Sequence, residues 1–289
     1  MDRAHFPLEL QERQAISDSP VKGRVVPFLK WAGGKRWFVQ SYASHFPHSF
    51  NRYVEPFLGS AAVFFFLSPE NGIIADRNSE LIETYRAVRD DWRAVSQLLE
   101  EHNSKHCKSY YYKLRDKYSP RSSVRRAALF IYMNRTCWNG LYRVNRNGKF
   151  NVPIGTKSNV VLATDDFQAV AELLRGMTIK VADFKKTIAL AGRGDFVFVD
   201  PPYVTKRHNG SFIKYNEKLF AWEDQVALRD CLALASQRGA KILATNANNK
   251  LIRRLYEQEF DVATVSRGSV ISGDVGSRGR CTELLIRNY

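Results

Sequence analysis

The sequence predicts an α/β protein: a mostly parallel sheet with covering helices, interrupted by a long, mainly helical insertion. Three observations carry that expectation. Short apolar runs closed by turn residues alternate with helical patterns of roughly 10–15 residues, as in a parallel sheet with crossover helices. The strand signal disappears between about residues 79 and 165 and then resumes. Finally, the apolar run Phe196-Val197-Phe198-Val199 stops at Asp200-Pro201-Pro202; two prolines cannot donate to a ladder, so a buried strand must end there.

In chain order, residues 1–24 are polar and mixed in charge, and a loosely held extension is expected. Strands are expected at 52–55, 72–76, 177–181, 195–200, 240–245, 260–265 and 282–288, each a short apolar run between turn or charged residues. Helices are expected at 60–67, 79–89, 91–100 and 224–237, where apolar residues recur at helical spacing. The resulting division assigns 25–78 and 166–289 to the α/β part and 79–165 to a separate recognition lobe.

Composition narrows the partner. The chain has 289 residues, is 44% hydrophobic, and carries 44 Lys/Arg against 29 Asp/Glu, a formal charge of +15. That excess favours a polyanion, most often nucleic acid. Between Glu101 and Val160 lie 13 bases against 2 acids, interleaved with nine aromatics that include Tyr110, Tyr111, Tyr112, Trp138 and Tyr142. A solvated helix face does not account for so one-sided a segment. Cys107, Cys137, Cys231 and Cys281 form no CxxC pair, which argues against a zinc ribbon and for a reducing compartment. His102 and His106 are four apart but lack the glutamate of HExxH, so no metal is expected. No leader-like or membrane-length apolar stretch stands out, and a cytoplasmic protein is expected.

The motifs supply the chemistry. Asp200-Pro201-Pro202-Tyr203 puts a carboxylate, a free carbonyl and a flat ring at a strand's carboxyl end, the edge where open α/β sheets bind ligands. Two acceptors suit an exocyclic amino group, and the phenol ring offers a stacking face. Val54-Glu55-Pro56-Phe57-Leu58-Gly59-Ser60-Ala61-Ala62 reads as a strand, a tight turn and the small-residue start of a helix. Asp76, seventeen residues after Gly59 and ending the next strand, stands where nucleotide-binding folds place an acid on ribose. Trp31-Ala32-Gly33-Gly34-Lys35 is not a P-loop, because Leu29 replaces its first glycine and Arg36 its Ser/Thr. A Gly-Gly turn with an indole and a cation suits a small zwitterion bearing a carboxylate and an adenine. Asp183-Phe184 adds an acceptor and a ring at the same sheet edge.

These clusters, together with Ala75-Asp76-Arg77-Asn78-Ser79, Asn139-Gly140-Leu141-Tyr142-Arg143, Phe150-Asn151-Val152-Pro153 and Phe212-Ile213-Lys214-Tyr215, occur in the order found in the Dam-type DNA adenine methyltransferases. The chain resembles that family, the D12 class marked by D-P-P-Y, over about residues 27–289. The resemblance implies a Rossmann-like core, S-adenosylmethionine as methyl donor, duplex DNA as substrate and a recognition insertion. It implies that Trp31, Lys35, Phe57, Gly59, Asp76, Asp183, Phe184 and Asp200 line the cofactor site. Asp200, Pro201, Pro202 and Tyr203 would grip a flipped adenine at N6. Arg143 would read a guanine, Leu141 and Pro153 would touch a thymine, Trp138 would be a wedge at the flipped site, and Asn139 would contact DNA. Lys30 would meet an outer guanine and Lys157 a phosphate. GATC is the expected target, a monomer the expected state, and an associated restriction endonuclease a possible partner. The family's second glycine is replaced by Ala61, which fits if φ stays negative there.

Cytosine-C5 transfer is disfavoured because no cysteine follows a proline. Cytosine-N4 transfer, which uses similar geometry and usually a serine in place of Asp200, and a catalytically silent DNA-binding relative are the remaining alternatives.

Overall fold

A computed structural model describes residues 25–145, 147–203, 220–267 and 281–289. Residues 1–24 and the motif Phe212-Ile213-Lys214-Tyr215 lie outside the described residues. Seven strands form one sheet: β1 (Tyr53–Glu55), β2 (Gly72–Asp76), β3 (Met177–Val181), β4 (Phe196–Val199), β5 (Lys241–Ala247), β6 (Asp261–Arg267) and β7 (Cys281–Arg287). Their order is β3-β2-β1-β4-β5-β7-β6. The first five are parallel, and β7 inserts antiparallel between β5 and β6. All seven fall within two residues of the expected bounds, in the Rossmann-like arrangement the motifs imply. The strand order reverses between β1 and β4, so a crevice opens at their carboxyl ends.

Both faces of the sheet are covered, which explains why its central strands are apolar throughout rather than alternating. One face carries Tyr53, Phe196, Phe198, Leu243 and Leu285, packed with Phe38, Phe64 and Tyr85. The other carries Val54, Val197, Val199, Ile242 and Ile286, packed with Leu228, Leu232 and Tyr256.

Nine α-helices are seen among the described residues: α1 (Arg36–Ser41), α2 (Ala62–Leu67), α3 (Ser79–Lys105), α4 (Lys108–Lys117), α5 (Ser123–Thr136), α6 (Phe167–Arg175), α7 (Phe184–Ile188), α8 (Trp222–Gln237) and α9 (Lys250–Tyr256). The two helices expected at 79–89 and 91–100 are one, α3, broken at Asp91 (φ −150°, ψ 65°). Asp91 Oδ1 accepts from Ala94 N at 3.1 Å and caps the second half, so the division lies where a short acid competes for backbone donors. Helices α4 and α5 escape a periodicity reading because their buried positions include tyrosine, asparagine and arginine.

The insertion shares its core with the sheet. Tyr111, Ile131 and Tyr132 belong to the same cluster as Phe28, Tyr85 and Phe198. Two polar side chains of α5 tie it to the segment preceding α1. Asn134 exchanges hydrogen bonds with the Lys30 backbone (2.9 and 2.8 Å). Arg135, buried, donates to the Phe28 carbonyl and makes a two-pronged pair with Asp165 at 2.6 Å. Removing one member of a buried pair strands the other's charge. Arg135→Ala is therefore expected to cost about 3–5 kcal/mol of unfolding free energy in urea titration.

His102 gives a pH prediction. Its ring is buried in the insertion, with Nδ1 2.8 Å from the Tyr110 hydroxyl, and burial pushes its pKa from 6.5 down to about 4. The folded value lies below the unfolded one, so this contribution is complete above pH 6.5 and disappears as pH falls toward 4. The difference corresponds to roughly 3 kcal/mol. The urea midpoint of His102→Gln should fall less steeply than the wild type's over that range; equal slopes would contradict the assignment.

Candidate active site

The turn after β1 is built by close approach. Gly59 has φ +48°, and a Cβ there would lie 2.8 Å from Trp31 Cδ1. Its N–H donates to Asp76 Oδ2 at 3.2 Å, and its carbonyl accepts from the buried Tyr85 hydroxyl at 3.0 Å. Asp76 Oδ1 takes the Asn78 N–H at 2.9 Å. Burial raises the Asp76 pKa, while these backbone donors oppose the rise. One acid thus joins the end of β2 to the glycine turn. Ala61 corrects an expectation: its φ is +56°, in the left-handed region, not negative. An alanine there costs roughly 1–2 kcal/mol relative to glycine's freedom, and the surrounding buried turn must hold it.

Trp31 lies between this turn and the insertion. Its ring stacks on Tyr142 (5.5 Å, 21°) and on Phe130 (6.4 Å, 26°). Asp183 caps α7 by accepting from Lys185 N at 2.9 Å and faces Arg77 at 3.9 Å. Phe184 is buried, stacked on half-buried Phe57 at 5.6 Å and close to Phe220. It supports Phe57 from below rather than presenting an open face.

The Asp-Pro-Pro-Tyr segment follows β4. The Trp31–Gly34 turn closes with Gly34 N donating to Trp31 O at 3.0 Å, and the next residue, Lys35, turns inward and is only 3% exposed. Its ammonium sits 2.7 Å from Asp200 Oδ1 and 3.5 Å from Glu283 Oε2, and donates to the Gly33 carbonyl at 3.0 Å. Thr245 on β5 donates to the same Asp200 oxygen at 2.8 Å. The Tyr203 hydroxyl donates to Glu283 Oε2 at 2.7 Å, and the Lys35 ammonium lies 5.0 Å from the Tyr203 ring centre. Burial and the neighbouring carboxylates of Asp200 and Glu283 push the Tyr203 hydroxyl well above its usual range, so it is a neutral donor. Asp200 remains 18% exposed and Pro202 is exposed. The cation expected at the cofactor therefore meets Asp200, the aspartate expected to be catalytic, here.

The expected DNA-contacting residues lie on the insertion, except Lys30, which precedes α1 and meets the insertion at Gly140. Trp138 is 52% exposed, and its N–H donates to the Pro153 carbonyl at 2.9 Å. Asn139 (φ +55°) and Gly140 (φ +65°) turn the chain, and a Cβ at Gly140 would strike Lys30 Cδ at 2.7 Å. Val144 pairs with Phe150, and exposed Arg143 donates to Asn151 Oδ1 at 2.9 Å. Leu141 is half-buried beside them. Lys30 and Lys157 are close enough that, after burial, Lys157 is the next cause lowering the Lys30 pKa. Two mutually repelling ammoniums are stabilised by an anion.

Sequence reasoning missed Thr245, Glu283 and the Trp31–Tyr142 stack. A glutamate inside the apolar run Cys281–Arg287 was the available signal for Glu283. Among the described residues no cluster of three or more His, Cys, Asp or Glu could hold a metal, and no helix is long and apolar enough to cross a membrane.

The pocket suits S-adenosylmethionine. Glu55, buried at the carboxyl end of β1, has one carboxylate oxygen without a partner, and burial raises its pKa well above the usual range. The buried Tyr53 hydroxyl is its one polar neighbour on β1 and makes no well-formed bond to it, so the carboxyl retains acceptor capacity that would suit an incoming ammonium such as that of a methionine moiety. The Gly59 turn and the Asp76 carboxylate bonded to it would face the ribose of that cofactor.

Comparison with known proteins shows the family. The family model for D12 class N6 adenine-specific DNA methyltransferase matches residues 31–270. The chain is 36% identical over 271 residues to the Type II methyltransferase M1.LlaDCHI of Lactococcus lactis subsp. cremoris, covering 91% of this chain and 95% of that one. It is 33% identical to the DNA adenine methylase of Serratia marcescens (89% and 96% covered) and 31% identical to that of Escherichia coli K12 (89% and 93%). The cytosine-N4 alternative is thereby set aside. The chain belongs to the D12 class N6 adenine-specific DNA methyltransferases, enzymes that take their methyl group from S-adenosylmethionine.

Proposed function

We propose that the protein methylates N6 of an adenine flipped out of duplex DNA within GATC, with residues 79–165 as the recognition unit. The observation that carries the reading is the fixed Asp200, held by Lys35 and Thr245 beside the Gly59 turn. Flipping costs on the order of a few kcal/mol. Stacking on the Tyr203 ring offsets much of it, since base–aromatic stacking is worth roughly 1–3 kcal/mol. The adenine N6 lone pair is delocalised into its ring. Hydrogen bonds from N6–H to the Asp200 carboxylate and the Pro201 carbonyl would localise it. The bound cofactor supplies an electrophilic methyl on a sulfonium. Fixed acceptors then stabilise the positive charge that grows on N6 during transfer.

Sequence readout is assigned to Arg143, aimed at a guanine, with Leu141 and Pro153 at a thymine methyl. Trp138 and Asn139 fill the space left in the duplex, and Lys30 and Lys157 take an outer base and a phosphate. The names of relatives called Type II methyltransferases support pairing with a restriction endonuclease, and we take the enzyme to act as a monomer.

Two variants test the reading. With labelled cofactor and methyl-free plasmid digested to nucleosides, wild type should yield N6-methyladenine and Asp200→Ala none, with DNA affinity largely kept; methylation by that variant would refute the role. Arg143→Ala should lose roughly 1–3 kcal/mol of binding to GATC and relax discrimination at one position. An equal loss on every sequence would show a phosphate contact instead.

A further inference from the structure

We propose that Glu283 is a positioning residue for methyl transfer, holding the Tyr203 ring in place through its hydroxyl and sharing Lys35 with Asp200. The inference rests on the reading above, in which Asp200 and Tyr203 hold the target base.

The placement follows from topology. Because β7 runs antiparallel, its first residues lie at the carboxyl edge of the parallel strands, with Glu283 opposite Ala247 at the end of β5. Along one face of β7, Leu285 packs in the core beside Phe198, and Glu283 continues that stripe to the ligand edge. It is a buried carboxylate, 4% exposed, on a strand whose next three residues are Leu284, Leu285 and Ile286. A charge in such a place is costly unless paired. Among the described residues its polar contacts belong to the site: the Tyr203 hydroxyl at 2.7 Å and the Lys35 ammonium at 3.5 Å.

The consequences are distinct for each partner. Tyr203 follows two prolines that donate no backbone hydrogen bonds, so anchoring its hydroxyl limits the swing of the side chain and fixes where the ring lies for the base that would stack on it. Lys35 lies 5.0 Å from that ring centre and 2.7 Å from Asp200 Oδ1. One formal cation thus faces two formal carboxylates, leaving a net negative site where charge grows on N6. With Glu283 neutral, Lys35 would balance Asp200 alone and that excess would vanish.

The test is single-turnover methylation of a duplex at saturating protein and S-adenosylmethionine, with dissociation constants measured separately. Glu283→Gln keeps size and an acceptor oxygen but removes the charge; Glu283→Ala removes both. Each should slow the chemical step by about 10- to 100-fold, the scale typical of supporting partners of a site, with both dissociation constants within about threefold of wild type. Combined with Tyr203→Phe, Glu283→Ala should add less than the product of the single effects, because both remove the Tyr203–Glu283 hydrogen bond, although Tyr203→Phe also removes the hydroxyl's contact with Thr245. An unchanged rate in Glu283→Gln and Glu283→Ala, or losses confined to binding, would overturn the proposal; fully multiplicative losses would overturn the route through the hydroxyl. If Glu283→Ala does not fold, Glu283→Gln with Tyr203→Phe carries the same comparison. Asp200→Ala in parallel separates the two levels. Activity in that variant sinks the base-gripping reading, whereas its inactivity beside normal Glu283 variants sinks only this inference.

Discussion

The buried ammonium of Lys35 is the point on which the site depends. A lysine only 3% exposed is tolerable because two carboxylates and a carbonyl surround it. Those groups come from three places far apart in sequence: the turn before α1, the end of β4 and the start of β7. One charge therefore fixes where the chain's first turn, its central strand and its antiparallel strand converge. Losing that cation would leave Asp200 and Glu283 facing each other, and like charges at such range cannot both stay ionised cheaply.

A second constraint joins the proposed cofactor and DNA sites. Trp31 closes on the Gly59 turn from one side and stacks on Tyr142 from the other, one residue before Arg143. Asn134 and Arg135 fasten the same stretch through hydrogen bonds to Lys30 and Phe28. The insertion is thus continuous with the core, and the loop proposed to face DNA is referenced to the Gly59 turn through packed rings and buried hydrogen bonds. Methyl transfer requires that both ligands be placed relative to each other to within a fraction of an ångström, and a rigid connection supplies this.

Much of this was legible from residue order alone. The strands could be read because each is a short apolar run with punctuating turn residues, and the site edge because Pro201 and Pro202 end β4 without ambiguity. The break in α3 was legible because Asp91 is a cap. What escaped has a common physical cause. Glu283 and Thr245 meet Asp200 and its neighbours only through sheet pairing over long sequence distances. The left-handed Ala61 could not be foreseen, since nothing in its residue type announces a positive φ. Phe184 read as a ring for a ligand, yet its burial behind Phe57 follows from packing that one-dimensional pattern does not carry. Helices α4 and α5 hid because they bury polar and aromatic side chains that pair internally, such as Arg135 with Asp165 and Tyr132 with His106.

The most direct test is the structure of the protein bound to a methyl-free GATC duplex and a non-transferable cofactor analogue. The account predicts the target adenine outside the helix, its N6 within hydrogen-bond reach of the Asp200 carboxylate and the Pro201 carbonyl, and its ring against Tyr203. An adenine still stacked in the duplex, or an N6 remote from Asp200, would contradict it.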